Sequence, residues 1–210
     1  MDAIECILTR RSIRKFMDIP VEFEKIGNIL DAGIHAPSAG NLQDVKFVLV
    51  TDENVRESLA KACVEQYWIS RAPVIIVVCT QPEKTKRFYG EKGESFSVQN
   101  GAAAVQNMLI AAHAQGLASC WVGAFEAEHV RRTLKIPVDA IIVAILPFGY
   151  ADEKVPIPIR MPMENVVFLG AWGNRIKDIA SYMEWYGEHV LRAVQAGKKA
   201  IKKFAEKMQK

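Results

Sequence analysis

Strands alternating with helices predict an α/β domain, and such alternation most often builds a parallel sheet. Two runs carry this expectation. Pro73-Val74-Ile75-Ile76-Val77-Val78-Cys79 is a β-branched apolar stretch of the kind a sheet buries on both faces. Ser95 to Gln115 reads as a long, alanine-rich helix, closed by Gly116 as a C-terminal cap. With 210 residues, half of them apolar and 24% charged, the chain has material for a substantial core in one generous domain or two small ones.

Taken in order, Ala3, Ile4, Ile7 and Leu8 recur at helical spacing and lead into the basic cluster Arg10-Arg11-Ser12-Ile13-Arg14. Pro20 opens a second helix with Phe23, Ile26, Leu30 and Ile34 on one face, and Pro37 stops it. Ala36-Pro37-Ser38-Ala39-Gly40-Asn41 has turn chemistry. Val45 to Thr51 alternates weakly as a strand, and a helix follows over Asn54 to Ala62. The polar stretch 81–94, with Gly90 and Gly93, reads as a mobile loop and candidate lid. After the long helix, Leu117 to Phe125 is a short strand ending in a loop at Gly123-Ala124. Glu126 to Leu134 is a charged helix, and Ala140 to Leu146 is the last strand, stopped by Pro147-Phe148-Gly149. Val155 to Pro162 must be extended, because three prolines disfavour helix there. The final 30 residues form one amphipathic helix, with Tyr182, Tyr186, His189, Val190, Val194, Ile201 and Phe204 toward one side.

Charge and composition exclude several classes. The net charge of +3 is unevenly spread: from Leu191 to Lys210 seven basic residues stand against Glu206 alone, which leaves the rest mildly acidic. A basic tail of this kind is usually a solvated helix face, and it lacks the aromatic interleaving of a nucleic-acid binder. No apolar stretch is long enough to span a bilayer, and the start lacks a secretory signal, which predicts a cytoplasmic protein. Cys6, Cys63, Cys79 and Cys120 are scattered and read as buried free thiols, and His35, His113, His129 and His189 make no metal set. There is no Gly-x-Gly-x-x-Gly fingerprint, P-loop or nucleophile-elbow serine. What remains is a set of polar loops. The forked guanidinium of arginine suits phosphate and carbonyl-like acceptors, and three such loops, the last carrying Arg160, could enclose one planar anionic ligand.

Arg10-Arg11-Ser12-Ile13-Arg14-Lys15-Phe16 followed by Ala36-Pro37-Ser38-Ala39-Gly40-Asn41 resembles the N-terminal signature of the FMN-dependent nitroreductase superfamily. Ala103-Val105-Gln106-Asn107-Met108, Gly116-Leu117 through Trp121-Val122-Gly123, and Pro147-Phe148-Gly149-Tyr150 fall in that family's order, so the likeness covers roughly residues 1–170. It implies an α+β fold in place of the parallel α/β sheet: a mixed, largely antiparallel central sheet flanked by helices, in an intertwined homodimer. It also implies FMN at the dimer interface and a nitroreductase-like FMN-binding domain over 1–173, with 174–210 as a basic helical extension.

By the same resemblance, Arg10, Ser12 and Arg160 hold the FMN phosphate, and Arg14 sits at the pyrimidine end of the ring. Arg11 belongs to the motif without a clear direction. Pro37, Ser38 and Asn41 come from the other subunit, a backbone N–H of Gly123 or Ala124 faces flavin N5, and Trp121 lies beside it. The implied activity is hydride transfer from NADH or NADPH through the flavin to nitroaromatic, quinone or activated-alkene acceptors. That transfer is ping-pong and needs no protein nucleophile. The alternative is an FMN-binding carrier or redox sensor with little nicotinamide-driven turnover. Two departures stand out: Pro158 replaces a basic residue often found two places before Arg160, and the aromatic, basic C-terminal segment has no match.

Overall fold

A computed structural model describes residues 2–176 and 178–208. They divide into two compact units, one ending at Ile157 and the other starting at Pro158. The first is built in the order α1 (Ala3–Thr9), α2 (Phe23–Ile34), β1 (Val45–Val50), α3 (Glu53–Ala62), β2 (Val74–Thr80), α4 (Pro82–Tyr89), α5 (Lys92–Ala114), β3 (Ala118–Ser119), α6 (Ala127–Leu134) and β4 (Ile141–Gly149). The second holds a short helix α7 (Met163–Val166) and the long α8 (Ile179–Met208).

The four strands form one sheet in the order β1-β2-β4-β3, and every ladder is antiparallel. The parallel arrangement expected from strand-helix alternation is therefore wrong, and the α+β arrangement holds. The unbroken apolar run of β2 misled because it reports burial on both faces, which parallel sheets show most often. Here Val74, Ile76 and Val78 face Ile29 of α2 and Val105, Met108 and Leu109 of α5. Ile75, Val77 and Cys79 face Leu59 and Cys63 of α3 and Val130 of α6. Two helical layers thus cover an antiparallel sheet.

A register shift between Val78 and Cys79 pairs them with Ala144 and Ile142, leaving Val143 as the extra residue of a bulge. Val143 turns toward α5, where a Cβ on Gly101 would lie 2.7 Å from its Cγ2. Gly101 is the residue that lets the bulge approach the helix. β4 also runs through Pro147, which pairs with Ile75, and on to Gly149. The expected stop at Pro147 does not occur. Proline tolerates this position because pairing on the β3 side is interrupted opposite it: Ser119 pairs with Phe148, and pairing resumes only at the isolated Val122–Ile145 bridge.

The candidate lid is not a loop. Pro82 supplies a favourable first helical position, Thr85 is buried with its hydroxyl on the Pro82 carbonyl, and Gly90 at φ +57° ends α4. α5 then starts at once, and a Cβ on Gly93 would meet the Lys86 backbone nitrogen at 2.4 Å. Polar composition suggested a loop, but the sequence encodes a helical hairpin. At the other end of α5 the Gly116 and Leu117 amides return to the carbonyls of His113 and Ala112 at 3.0 and 2.9 Å. With Gly116 at φ +77°, this is a glycine C-cap.

α2 begins three residues after the Pro20 signal, and its inward residues are Ile26, Ile29 and Gly33, whereas Phe23 and Ile34 are exposed. Val155–Pro162 carries no helix, and in the second unit Phe168 packs on Trp172 at 4.8 Å between ring centroids. Along α8, Tyr182, Trp185, Tyr186 and His189 stack as neighbouring rings. The side chains of Val190, Ile201 and Phe204, which the sequence reading assigned to that face, lie outside the described residues.

Candidate functional site

The basic cluster leaves α1 as extended backbone. Arg10 is the helix's C-cap, with its N–H on the Cys6 carbonyl. Ser12 then bridges Ser119 in parallel, and the Ile13 amide donates to the Ser119 carbonyl at 3.1 Å. Ile13 and Phe16 are buried in a small core with Ala72 and Ala118. The apolar residues of the motif anchor it, so the polar ones project from a fixed track. Glu153 fixes the far end: one carboxylate oxygen accepts from the amides of Arg14 and Lys15 at 2.5 and 3.0 Å.

This track separates two depressions. On one side Thr9, Arg10, Arg11, His113 and Ser119 line a cavity of about 230 Å³. Thr9 donates its hydroxyl proton to the Glu5 carbonyl at 2.6 Å, so its oxygen accepts from His113 Nε2 at 2.9 Å. That requires a proton on His113 Nε2. Burial, and after it Arg10 and Arg11, hold its pKa below the ordinary value. Ser119 Oγ is buried with no hydrogen-bond partner among the described residues. Orphans of this kind are rare and usually await a ligand or water.

On the other side Arg14, Gln66, Trp68, Cys120, Trp121, Gly123 and Ala124 line a recess of about 140 Å³. The Arg14 guanidinium lies 5.9 Å from the Trp68 ring centroid, within cation–π range, and Trp68 stacks on Phe16 at 6.5 Å. Arg56 holds the turn that carries Trp68, donating to the Ser70 carbonyl and, at 2.9 Å, to that of Ala72. Just before it, Val64 and Glu65 occupy left-handed backbone at φ +59° and +56°. For a β-branched residue that conformation is strained, and such strain clusters at functional segments.

Pro37 and Ser38 line neither of these depressions. They border a separate groove of about 470 Å³ between the end of α2 and β1, with Leu30, Ile34, Phe47 and Leu49. Asn41 is exposed beside them at φ +55°, its Oδ1 accepting from Gln43 Nε2 at 3.1 Å. Arg160 belongs to the second unit and is exposed, outside any helix or strand. The chain thus brings together Arg10 with Arg11, and Arg14 with Trp121, Gly123 and Ala124.

Several residues have no signal in the linear sequence. Glu153 and Gln66 contribute through contacts distant in the chain, and so do Asp44, Ser97 and Asn100, a buried polar set next to the Ser38 turn. The thiols are chemically quiet. Burial pushes Cys63 up to about 12 and Cys79 up to about 11. Burial also raises Cys120, although Arg14, Ser12 and Arg10 pull the other way. A thiolate nucleophile is not available at these positions.

An antiparallel sheet between helical layers is flanked by an arginine-bearing extended segment and a Trp-Val-Gly-Ala loop, an arrangement suited to an anionic, planar cofactor. The sequence pattern of the Nitroreductase family matches residues 7–71 and 63–150. A protein of Methanothermobacter thermautotrophicus with the provisional name NADH dehydrogenase/NAD(P)H nitroreductase is 36% identical over 158 residues, covering 73% of this chain and 80% of its own. The NADPH-flavin oxidoreductase of Vibrio harveyi is 30% identical over 191 residues, covering 86% of this chain and 79% of its own. Among solved structures, nitroreductase A of Vibrio parahaemolyticus superposes with a TM-score of 0.75 at 27% identity, over 91% of this chain and 86% of that one. The chain belongs to the nitroreductase family.

Proposed function

We propose that this protein is an FMN-dependent oxidoreductase that takes hydride from NADH or NADPH and passes it to a nitroaromatic, quinone or activated-alkene acceptor by a ping-pong cycle. Its relatives named for NADPH-flavin oxidoreductase and FMN reductase activity support the cofactor and donor. The observation that carries the reading is the track from Arg10 to Arg14. It offers a cationic cavity on one side and a recess with Arg14, Trp121 and the Gly123-Ala124 backbone on the other.

The residues present fit FMN. A phosphate needs several donors, and Arg10, Arg11 and the orphan Ser119 hydroxyl meet in one cavity. Bound FMN supplies the two-electron chemistry at its N5 atom. Arg10, Ser12 and Arg160 would bind the phosphate. Arg14 would place its charge against the pyrimidine edge, steadied by Trp68. A Gly123 or Ala124 N–H would orient the ring at N5, with Trp121 shielding that edge from water.

Pro37, Ser38 and Asn41 would come from a second copy, so the working unit is a homodimer with shared sites and a cytoplasmic location. Within the chain, 1–173 would serve as the FMN-binding domain and 174–210 as an extension gripping the partner. The test is the visible spectrum of the purified protein, followed anaerobically on adding NADH or NADPH. Flavin bands near roughly 370 and 450 nm that bleach quickly are the expected result. Bands that persist would favour a flavin carrier, and a colourless protein that takes up no FMN would end the proposal.

A further inference from the structure

The turn after α2 is strained and needs an external brace. Gly40, Asn41 and Gln43 all have left-handed backbone, at φ +56°, +55° and +51°. Local bonds close only part of it: the Asn41 amide donates to the Ser38 carbonyl at 2.9 Å and the Gln43 amide to Ser38 Oγ at 3.1 Å. The Ala39 amide instead reaches across to Asn100 Oδ1 on α5, at 2.9 Å.

Asn100 can accept there only if its amide points one way, and Asp44 dictates that way. Asp44 is fully buried, and no salt bridge reaches it among the described residues. Its Oδ2 accepts from Ser97 Oγ at 2.5 Å and its Oδ1 from Asn100 Nδ2 at 2.7 Å. A carboxylate only accepts, so the NH2 of Asn100 must face it and the carbonyl oxygen must face Ala39. A buried carboxylate without a cationic partner is expensive to keep, and packing α5 against the sheet does not require one. The Asp44 carbonyl also takes the Gln81 amide at 2.9 Å, fixing Asp44 to the end of β2.

We infer that Asn100, oriented by Asp44, is a positioning residue that holds the Ser38–Asn41 turn in the shape that binds the cofactor. The inference rests on the FMN reading above. Asn100 touches no cofactor itself, and its effect passes through the Ala39 amide.

The experiment titrates FMN into the full-length protein and three variants, with the melting temperature and bound-flavin circular dichroism of each. Asn100→Ala and Ser97→Ala each remove one hydrogen bond to Asp44, but only Asn100 is tied to the turn. Ala39→Pro deletes the bonded N–H and leaves the Asp44–Ser97–Asn100 set intact. Proline is admissible there because Ser38 is extended (φ −131°, ψ 147°) and Ala39 is the first residue of a 3-10 turn.

Expected are an FMN Kd raised about tenfold and an altered flavin dichroism in Asn100→Ala and Ala39→Pro, against less than about twofold in Ser97→Ala. Equal affinities in Asn100→Ala and Ser97→Ala, or wild-type affinity in Ala39→Pro, would overturn the inference. If Asn100→Ala does not fold, Ala39→Pro decides. Failure of the wild-type protein to bind FMN is read separately in the same titration and removes the cofactor reading together with what rests on it.

Discussion

At the residue scale the arginine track was legible because its spacing is local. Arg10 to Arg14 and Cys120 to Ala124 are each contiguous, and a parallel bridge from Ser12 to Ser119, the residue before Cys120, brings them near one another. Asp44, Ser97, Asn100 and Glu153 were not legible, since each is an unremarked polar residue until a partner far along the chain gives it a role. His113 also looked dispersed, yet it sits with Arg10 and Arg11, which makes a testable acid sensitivity. Its folded pKa lies below the unfolded value of about 6.5, so the unfolded chain binds more protons between the two. Stability is therefore full above pH 6.5 and falls as pH drops toward the folded value. Urea midpoints of wild type and His113→Asn at pH 7.5 and 5.5 check this. The variant is expected to lose part of the acid-induced decrease, and an identical decrease in both would refute the assignment.

At the element scale, segments with a clear apolar pattern were read well and polar or proline-broken ones poorly. β1, α3, β2, α5 and α6 appear within a few residues of their expected bounds. The misreadings have physical causes: α4 is polar because it buries only Pro82 and Thr85, and β4 passes a proline because the neighbouring pairing is interrupted opposite it. Strand direction was also out of reach, since β2 is buried on both faces and burial carries no directional information. The α4–α5 hairpin depends on Gly93, where an added Cβ would strike the backbone of Thr85 and Lys86 rather than a yielding side chain. Gly93→Ala is expected to destabilise by about 2 kcal/mol through forced separation of the two helices, measured by denaturant unfolding. A variant as stable as wild type would show that α4 is free to shift. Gly90→Ala meets no neighbour but must adopt φ +57°, ψ −138°, a conformation essentially confined to glycine, so it is also expected to cost about 2 kcal/mol, through backbone strain alone.

At the scale of the whole molecule, the second unit presents α8 with exposed Met183, Trp185, Tyr186, Leu191 and Val194. If that helix grips a second copy, truncation after Gly173 should shift sedimentation from dimer toward monomer. An unchanged dimer would leave α8 as a solvated helix. The strand order has a separate consequence for how the chain is made. β2 is complete at Thr80, but its partner on the inner side, β4, begins only at Ile141. On the ribosome, at roughly 5–20 residues per second, the most apolar strand of the protein waits several seconds with one edge unpaired. During that interval β1 is its only sheet neighbour, and the α5 face that will cover it is still being synthesised. Newborn chains should therefore be most vulnerable to sticking to one another, and most dependent on chaperones, before β4 emerges.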